Sequence, residues 1–474
     1  MPFLCYFLRP DGDEMLTYTF DKNKKTPLYE QLYSKIKEDI TAGRISAGSK
    51  LPSKRTLSEH LGISKVTVEA AYSRLIAEGY IFSLEKKGYY AERVSLVPYT
   101  EPREEKITAE RHFDADIKSN GVSLEHFPFS VWSKLMREVT LNYSREMMAA
   151  VPYNGAFCLR KAICEYLAEN RGMRVSPSQV IIGAGTEYLY GLIIQLLGFE
   201  KRFAIENPSY SRISEVYRAH GIDCLYVDMD NDGVDMKSLE ASGADVVHIS
   251  PAHHFPTGIV TPPKRRFEIL EWAAKSESRY IIEDEYDSEF RFTGKPITPM
   301  QSADTNNKVI YINTFSKTIA PSIRISYMIL PPPLAEEFKN RLGFYSCTVA
   351  AFEQYTLASF ISDGYFERHI RRMKRYYKLL RDEIIGEIES SPIYDRVKIL
   401  EPDSGLHFLL KIDTEKSDAE LSNACAEQGI RIAFLSEFYV GSSSNEHLAL
   451  INYSGVNAKE FKKALECLEK ALAV

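Results

Sequence analysis

The sequence predicts an α/β protein with two domains: a small helical N-terminal domain carrying a hairpin, and a large domain with a mostly parallel central sheet. Its 474 residues exceed what one ordinary hydrophobic core encloses. Residues 27–91 show short helical periods followed by an alternating, hairpin-like stretch. From residue 119 onward, apolar runs alternate with helical patterns, which is typical of parallel sheets covered by helices.

The composition is that of a soluble globular protein, with 44% hydrophobic and 26% charged residues. No uninterrupted apolar run approaches the roughly 18 residues of a membrane helix, so we expect no membrane partner. The seven cysteines include no Cys-x-x-Cys pair, which argues against a disulfide framework and against a zinc site. We therefore expect a cytoplasmic protein without a bound metal ion.

Charge is distributed unevenly along the chain, whose formal net charge is −6. Residues 21–91 carry 13 Lys and Arg against 8 Asp and Glu, so the rest of the chain is acidic. A basic end on an acidic body is the asymmetry expected when one end of a protein meets nucleic acid. A solvated basic face is commoner than a DNA-binding one, so this interpretation depends on the motifs.

Three short helices are predicted in the N-terminal domain. The first is stopped by Gly43, the second begins near Ser53 and is broken by Gly62, and the third is capped by Ser64. Two short helices around a glycine-containing turn, the second capped by serine, have helix-turn-helix geometry. The apolar positions that support the three helices are Leu28, Leu32, Ile36, Ile40, Leu57, Leu61, Val68, Ala71 and Leu75.

This geometry exposes the start of the third helix, where side chains can meet phosphates and base edges. We expect Ser64, Lys65 and Thr67 to point outward there, with Arg55 beside them at the start of the preceding helix. The following stretch, FSLEKKGYYAE, alternates like a hairpin with Gly88 at its tip and is interpreted as a wing. The alternative is a small helical domain with ordinary solvated lysines.

The motif LPSKRTLSEHLGISKVTVEAAYSRLIAEGY resembles the winged helix-turn-helix domain of GntR-type bacterial regulators. The resemblance implies promoter DNA as a partner. It makes Arg55, Ser64, Lys65 and Thr67 the candidates for DNA contact and places Gly88 in the wing. We place this domain at residues 21–91. Residues 92–118 are mixed in charge and are predicted to be a linker with a candidate short helix.

The large domain is expected over residues 119–474. Buried strands are predicted at RFAIEN, ADVVHIS, RYIIEDEY and KVIYINTF, and helices at 158–168, 186–198 and 264–275. In such sheets ligands bind beyond the carboxyl ends of the strands. The polar side chains expected to converge on this rim are Asn207, Tyr210, His253, His254, Asp284, Tyr286, Thr314 and Lys317.

Lys317, which follows an apolar strand, gives this rim a chemical interpretation. A lysine close to other cations can have a lowered pKa and form a Schiff base with an aldehyde. Pyridoxal 5'-phosphate is the common protein-bound aldehyde and is the predicted cofactor. A lysine after a strand is by itself more often a solvated surface residue, so the prediction depends on the set around it.

The chemistry of pyridoxal phosphate assigns candidate roles to the other side chains. Its ring nitrogen needs a carboxylate, and its phosphate needs amides at a helix start, hydroxyls and an arginine. We predict ring contacts from Asp284 at the nitrogen, from Tyr286 at the hydroxyl and from Tyr210 by stacking. The candidates for the phosphate are Gly185, Thr186, Thr314, Ser316 and Arg324.

Residues 119–474 resemble the fold-type-I pyridoxal-phosphate aminotransferases through stretches such as ENPSYSR, SPAHHFPTG, IIEDEYDSEFR and NTFSKTIAPSIRISYMILP. With its N-terminal module, the whole chain resembles the MocR-type (GabR-like) regulators. The resemblance implies that Lys317 holds the cofactor as an aldimine, that Arg212 contacts a ligand carboxylate and that the protein is a homodimer. Two reading heads would favour two half-sites, each read in a major groove.

Three positions depart from the aminotransferase pattern. Leu450 falls where a C-terminal arginine clamps the substrate carboxylate, and the upstream Arg431 is a replacement that the alignment does not support. Phe255 replaces the Asn before Pro-Thr-Gly, which leaves His254 as a candidate for the ring contact. The alternative is a histidine that is merely packed at a strand end. Ala150 stands where a tyrosine would reach the partner subunit's phosphate.

These observations predict a pyridoxal-phosphate-dependent, DNA-binding transcriptional regulator that senses a small amine, an amino acid or the cofactor itself through Lys317. The alternative is an active aminotransferase that carries a regulatory DNA-binding domain. The apolar residue at Leu450 favours sensing, with at most weak transamination. A third hypothesis is a DNA-binding scaffold without a cofactor.

Overall fold

The computed structural model of the chain divides into two compact units, Met1–Ala109 and Glu110–Val474. The division falls inside the expected linker, whose residues 95–112, with the candidate short helix, lie outside the described residues. The domain bounds 21–91, 92–118 and 119–474 stay predictions. The described residues are 7–8, 14–21, 26–94, 113–118, 121, 126–292, 297–403, 405–441 and 446–473.

The N-terminal unit consists of helices and two small antiparallel sheets. Strands β1 and β2 form one sheet, and strands β3, β5 and β4 form the other in that order, with the predicted wing as the turn between β4 and β5. Its elements are β1 (Phe7–Leu8), β2 (Glu14–Met15), α1 (Leu28–Thr41), β3 (Lys50–Leu51), α2 (Lys54–Leu61), α3 (Lys65–Ala77), β4 (Ile81–Leu84) and β5 (Gly88–Ala91).

The turn between α2 and α3 forms because its residues satisfy the helix ends. The Ser53 hydroxyl accepts a hydrogen bond from the Thr56 N–H at 3.1 Å, and the Ser64 hydroxyl accepts one from the Thr67 N–H at 3.1 Å. Gly62 ends α2 with φ 64°, a left-handed conformation that costs glycine little. Each cap satisfies a backbone donor that the helix start leaves unpaired. The helix-turn-helix geometry predicted from the sequence is confirmed.

One apolar core holds the three N-terminal helices together. Helix α1 turns its four-residue stripe inward, and α3 supplies the facing side. Burial of a large aliphatic side chain contributes about 1.5–3 kcal/mol, so this cluster is the main source of stability of the unit. Its fully buried aliphatic members include Leu32, Ile36, Leu57, Val68, Ala71 and Leu75.

The large unit alternates strands and helices. Its elements are β6 (Ala115–Asp116), α4 (Phe129–Asn142), α5 (Ser144–Met147), α6 (Phe157–Arg171), β7 (Val180–Gly183), α7 (Thr186–Leu197), β8 (Phe203–Asn207), α8 (Ser211–Ala219), β9 (Leu225–Asp230), β10 (Gly233–Val234), α9 (Met236–Ser242), β11 (Val246–Ile249), α10 (Pro263–Ala274), β12 (Tyr280–Glu285), β13 (Val309–Thr314), β14 (Ser326–Ile329), α11 (Pro332–Leu342), α12 (Ala351–Ser362), α13 (Tyr365–Glu389), β15 (Val397–Leu400), β16 (His407–Ile412), α14 (Asp418–Glu427), β17 (Ile430–Arg431), β18 (Ala433–Phe434), β19 (Leu448–Asn452) and α15 (Ala458–Ala473).

The central sheet has eight strands in the order β10-β9-β8-β11-β12-β13-β14-β7. Strands β9, β8, β11, β12 and β13 run parallel, and β14 and β10 run against their neighbours. The four predicted strands are β8, β11, β12 and β13, which lie side by side. Their carboxyl ends therefore meet at one edge, as expected for a sheet of this kind.

Both faces of the central sheet are covered. Along β14, Tyr327 and Ile329 pack into the cluster that contains α6 and α12, whereas Met328 packs into the cluster that contains α7 and α11. Alternate side chains of a strand point to opposite faces, so this pattern requires helices on both sides. The sheet is thus the middle layer of three.

A second, antiparallel sheet of order β15-β16-β19-β18 lies in the C-terminal part of the large unit. One face packs on α13, α14 and α15 through residues such as Phe408 and Ile451. The other face carries Leu409 and Leu450, which form a cluster against Phe255. This face is the one that adjoins the rim of the central sheet.

The end of the expected linker belongs to the large unit. Residues 115–116 form β6, which pairs in parallel with β17.

Among the described helices, none is both long and apolar enough to cross a membrane.

Candidate functional site

A cavity of about 450 Å³ opens at the carboxyl ends of the central strands and at the start of α7. It brings together side chains that are far apart in sequence. Gly185 is the residue just before α7 and lies beside the cavity without lining it. The predicted residues that do line the cavity are Thr186, Tyr210, Arg212, His254, Asp284, Tyr286, Thr314, Ser316, Lys317 and Arg324.

Lys317 lies half-buried on the cavity wall, three residues after the end of β13. Burial lowers the pKa of its amine to about 7, although the negative charge of Asp287 opposes this shift. An amine with this pKa is largely neutral near physiological pH and can act as a nucleophile. An ordinary lysine would be almost fully protonated there.

Asp284 is the residue before the last in β12 and is 7% exposed. Its Oδ2 accepts hydrogen bonds from the Tyr190 hydroxyl and from His248 Nε2, the latter at 3.2 Å. His248 is oriented in turn because its Nδ1 accepts from the Tyr217 hydroxyl at 2.8 Å. The other carboxylate oxygen, Oδ1, is buried and has no hydrogen-bond partner among the described residues.

The hydrogen-bond partners of Asp284, Tyr190 and His248, were not predicted from the sequence. Tyr190 stands one helical turn after Thr186, which was predicted to face the site, and this spacing is a signal that could have found it. His248 lies on β11 directly opposite Ile282 of β12, a register that cannot be read from the sequence. Together the two side chains fix the carboxylate and leave one oxygen available to a donor.

The start of α7 and the loop between β13 and β14 lie together at the cavity, where the sequence predicts a phosphate site. Gly185 has φ 100°, a conformation that favours glycine, and a Cβ at this position would lie 2.2 Å from Arg324 Nη2, so the arginine side chain would have to move. The Ser316 hydroxyl is buried without a hydrogen-bond partner among the described residues. Thr314 and Ser326 close the loop as a strand pair, and the Ser326 hydroxyl donates to Thr314 Oγ1 at 2.8 Å. Helix amides, a hydroxyl and a guanidinium suit a phosphate.

Glu187, a second residue that the sequence reasoning missed, lies between two arginines. Arg324 Nη2 donates to its Oε2 at 2.9 Å, and Arg212 Nη1 lies 3.5 Å from its Oε1. Partial burial would raise the pKa of Glu187, but its own backbone N–H and the two guanidinium groups lower it below the usual value. Glu187 is therefore a carboxylate that holds both arginines at the cavity.

Tyr210 and Phe255 form an aromatic wall of the cavity. Tyr210 is 40% exposed, and its ring meets that of Phe255 edge to face with centroids 5.7 Å apart. The guanidinium of Arg212 lies 5.6 Å from the centre of the Tyr210 ring. The stacking role of Tyr210 stays a prediction.

His254 and Glu206 form a buried pair at the floor of the cavity. His254 Nε2 lies 3.4 Å from Glu206 Oε2, and His254 Nδ1 lies 2.7 Å from the Thr257 hydroxyl. Burial, with a smaller effect of His253, lowers the pKa of His254 to about 3, and burial raises the pKa of Glu206 to about 8. Both side chains are neutral near pH 7, so they add no charge to the floor.

One trio of the described residues, His253, Asp287 and His407, could hold a metal ion, since one ligand atom of each lies within 4.8 Å of the others. Hydrogen bonds account for part of this arrangement without an ion. His253 Nδ1 lies 2.9 Å from Asp287 Oδ2, the Leu406 N–H donates to the same oxygen at 3.1 Å, and the Tyr286 hydroxyl lies 3.1 Å from His253 Nδ1. His253, held by Asp287, thus lies within hydrogen-bond distance of the Tyr286 hydroxyl, and Tyr286 lines the cavity.

The residues that depart from the aminotransferase pattern do not supply a carboxylate clamp. Leu450 is fully buried on β19, opposite Leu409 and Ala433. Arg431 lies outside the cavity lining and pairs with Asp116 at 3.4 Å. The candidate replacement by Arg431 is therefore not seen at this cavity.

In the N-terminal unit, the predicted DNA-contact residues lie on an exposed surface around the start of α3. The Arg55 side chain is 82% exposed and pairs with Glu59 at 2.8 Å. Lys65 is exposed, and Ser64 and Thr67 are engaged in the cap described above. Val66, which was not predicted, is 73% exposed beside them. An apolar side chain at this position can contact a thymine methyl group.

The wing also has the predicted geometry. Gly88 begins β5 with φ 111°, and Lys86 and Lys87 of the preceding turn are exposed. Direct contact of these residues with DNA stays a prediction.

Comparison with known proteins accounts for both units. A model of the family described as aminotransferase class I and II matches residues 118–468, and a model described as bacterial regulatory proteins, gntR family, matches residues 28–90. The HTH-type transcriptional regulator YdeL of Bacillus subtilis (strain 168) is 35% identical over 464 residues, which are 96% of this chain and 99% of that protein. The probable rhizopine catabolism regulatory protein MocR of Rhizobium meliloti is 28% identical over 475 residues, 95% of each chain. The chain belongs to the MocR-type transcriptional regulators.

The large unit of this MocR-type regulator has an aminotransferase fold. The kynurenine aminotransferase of Pyrococcus horikoshii matches with a TM-score of 0.67 at 20% identity, over 77% of this chain and 92% of that chain. An archaeal alanine:glyoxylate aminotransferase matches with a TM-score of 0.68 at 23% identity, over 76% and 90%. At these identities the likeness establishes the fold, and the fold class predicted from the sequence is confirmed.

We expect Lys65→Ala to weaken the binding of this MocR-type regulator to its promoter DNA about equally for all sequences. A lysine that neutralises a phosphate releases counterions, so its loss should reduce the slope of log affinity against log salt by about one. Fluorescence anisotropy with a promoter fragment at several salt concentrations measures both effects. Lys264→Ala is the matched control, because Lys264 is an exposed lysine of the large unit. An unchanged salt slope would remove Lys65 from the DNA interface.

Proposed function

We propose that this regulator binds pyridoxal phosphate covalently at Lys317 and that an amine entering the same cavity alters its binding to promoter DNA. The observation that carries the proposal is one cavity with two complementary groups. It contains an amine whose pKa is lowered to about 7 and, on Asp284, a buried carboxylate oxygen without a partner among the described residues.

The residues around the cavity fit this cofactor. Asp284 Oδ1 can accept a hydrogen bond from a protonated ring nitrogen, and Tyr286 lies where it can meet a ring hydroxyl. The amides at the start of α7, Ser316 and Arg324 can hold a phosphate. Bound pyridoxal phosphate supplies an aldehyde that condenses with primary amines and a ring that withdraws electrons.

The side chains of this protein prepare the site in three ways. Tyr190 and His248 hold the carboxylate of Asp284 in one orientation. The buried surroundings of Lys317 keep a large fraction of its amine neutral. The Tyr210 and Phe255 rings line one side of the cavity and give it an apolar surface. A ligand changes DNA binding only if it binds two arrangements of the protein with different free energies.

We also propose that the protein is a homodimer. Several large apolar side chains on α4, just after α5 and at the start of α6 are exposed, and exposed apolar surface that is contiguous is typical of protein–protein contacts. A second copy of the chain would cover them and would give the two reading heads that paired half-sites need. The most exposed members are Phe129 at 68%, Leu141 at 75%, Met148 at 80% and Phe157 at 61%.

The aminotransferase alternative is less well supported for this chain. Efficient transamination of an α-amino acid needs a cation that clamps the carboxylate, and Leu450 is buried and apolar where that arginine is expected. The relatives that cover the whole chain are regulators by name. Sensing therefore ranks above turnover, with at most slow transamination.

The attachment of pyridoxal phosphate is expected to depend on pH with a midpoint near 7. Below pH 7 the neutral fraction of Lys317 falls about tenfold per pH unit, and above pH 7 it levels off. A lysine with the ordinary pKa of 10.5 would instead keep gaining reactivity up to that value. Stopped-flow absorbance of cofactor-free protein mixed with pyridoxal phosphate measures the rate.

The control reaction uses Nα-acetyl-lysine in place of the protein. It shows how the rate changes with pH when the cofactor meets a lysine side-chain amine in solution. Reduction with borohydride and peptide mass mapping then locates the adduct, and a promoter fragment reports whether loading changes DNA affinity. An adduct on another lysine, or a rate that rises steadily to high pH, would contradict the proposal.

A further inference from the structure

We infer that the effector of this regulator is a primary amine with an apolar body and no carboxylate. The inference rests on the proposed function, since it names the class of ligand that enters the same cavity. It is drawn from the charges that line the cavity and from the partners that already hold them.

Among the described residues, each cationic side chain that lines the cavity already has another role or an ion-pair partner. These side chains are Lys317, Arg324 and Arg212. Lys317 is the attachment point of the cofactor, and Arg324 lies at the phosphate position and donates to Glu187. Arg212, which the sequence marked as a carboxylate ligand, is paired with the other oxygen of Glu187 at 3.5 Å.

Glu187 therefore opposes a ligand carboxylate in two ways. It pairs with Arg212, and it places its own negative charge beside that guanidinium. Partial burial, which would raise the pKa of Glu187, is outweighed by its backbone N–H and by the two arginines, so it stays ionised near neutral pH. A ligand carboxylate would have to displace this internal carboxylate.

The position where the pattern expects a second arginine does not supply a replacement. Leu450 lies outside the cavity lining and is fully buried in an apolar cluster that includes Phe255, which does line the cavity. A carboxylate directed toward Phe255 would lose its hydration without gaining a charged partner, which is unfavourable. A binding site strongly rejects a ligand when binding would leave a polar group without a hydrogen-bond partner.

The aromatic wall formed by Tyr210 and Phe255 suits an apolar group. Tyr210 and Phe255 present ring faces and edges, and Ile205 and Ile213 line the cavity beside them. An alkyl or aromatic group attached to the amine would bury its surface there. The chemistry of the cavity thus matches an amine with an apolar body.

The test uses two probes that differ only in the carboxylate, 2-phenylethylamine and L-phenylalanine. Isothermal titration of the full-length protein loaded with pyridoxal phosphate gives the two affinities, and the thermal shift of the same samples is a second measure of binding. We expect 2-phenylethylamine to bind at least about tenfold more tightly than L-phenylalanine.

Glu187→Gln should narrow this ratio by raising the affinity for L-phenylalanine, because Arg212 is then free to pair with a carboxylate. Glu215→Gln is the matched control, since Glu215 is an exposed acidic residue on the same helix as Arg212 and lies outside the cavity lining. It should leave the ratio unchanged. The ratio for the unchanged protein tests the inference even if the Glu187 variant does not fold.

Two results would overturn the inference. The first is a loaded protein that binds L-phenylalanine as tightly as 2-phenylethylamine, or more tightly. The second is a loaded protein that binds neither probe. A protein that retains no pyridoxal phosphate after dialysis would instead refute the proposed function, and the measured cofactor content of each sample separates the two failures.

Discussion

Lys317→Ala is expected to abolish covalent retention of pyridoxal phosphate completely. Among the described residues, Lys317 is the one lysine that lines the cavity. Burial lowers the pKa of its amine to about 7. An alanine removes the nucleophile and leaves Asp284 and the anion-binding start of α7 in place. The variant should therefore bind the cofactor only reversibly, and its promoter binding should no longer respond to added amine.

Borohydride reduction followed by denaturation and absorbance measurement gives the covalently bound fraction of cofactor. Lys275→Ala is the matched control, because Lys275 is a surface lysine paired with Glu240 at 3.3 Å on the same domain. It should retain the full amount. A Lys317→Ala protein that still carries covalent cofactor, or whose DNA binding still responds to amines, would refute the assignment.

Asp284→Asn is expected to weaken the affinity for pyridoxal phosphate by about tenfold to a hundredfold. A hydrogen bond to a charged group contributes about 1.5–3 kcal/mol, and asparagine cannot supply the charge that a protonated ring nitrogen needs. Asparagine keeps the shape of the side chain and an oxygen that can accept from Tyr190. The cofactor-free protein should lose little stability, because asparagine keeps an oxygen for Tyr190 and the oxygen of Asp284 that changes is buried without a hydrogen-bond partner among the described residues.

Equilibrium dialysis measures the affinity, and thermal unfolding of the cofactor-free protein measures the stability. Asp232→Asn is the matched control, since Asp232 lies in an exposed turn of the same domain. Loss of affinity with unchanged unfolding temperature would place Asp284 in the cofactor site. Loss of both would show instead that the residue is structural, and equal affinity would exclude the ring contact.

The sequence allowed prediction of those features that depend on local patterns. The helix start near Ser53, the cap at Ser64 and the stop at Gly62 followed from residue type and spacing, and the structure has all three. The four buried runs became adjacent strands, because apolar runs of that length have few other ways to bury both faces. Six of the eight predicted rim residues line one cavity, as strand direction predicts, whereas Asn207 and His253 lie outside its lining.

The contacts between distant residues could not be predicted. Tyr190 and Asp284 lie 94 positions apart and meet because α7 packs against the central sheet. Glu187 looked like an ordinary acidic residue in the first turn of a helix, which the helix dipole favours. Only the folded loop before β14 brings Arg324 to it. Arg431 was open as a replacement for the missing arginine until the pairing of β17 with β6 placed it elsewhere.

The short connection between β13 and β14 has a consequence for how such sites can change over time. Lys317 and Arg324 both belong to this connection, and its two ends are held as the strand pair Thr314 and Ser326. The separation between the proposed cofactor lysine and the proposed phosphate-binding arginine is therefore set by backbone pairing. Under that proposal, point substitutions elsewhere in the cavity would change which amine is recognised and preserve this separation, whereas an insertion within the connection would displace both residues.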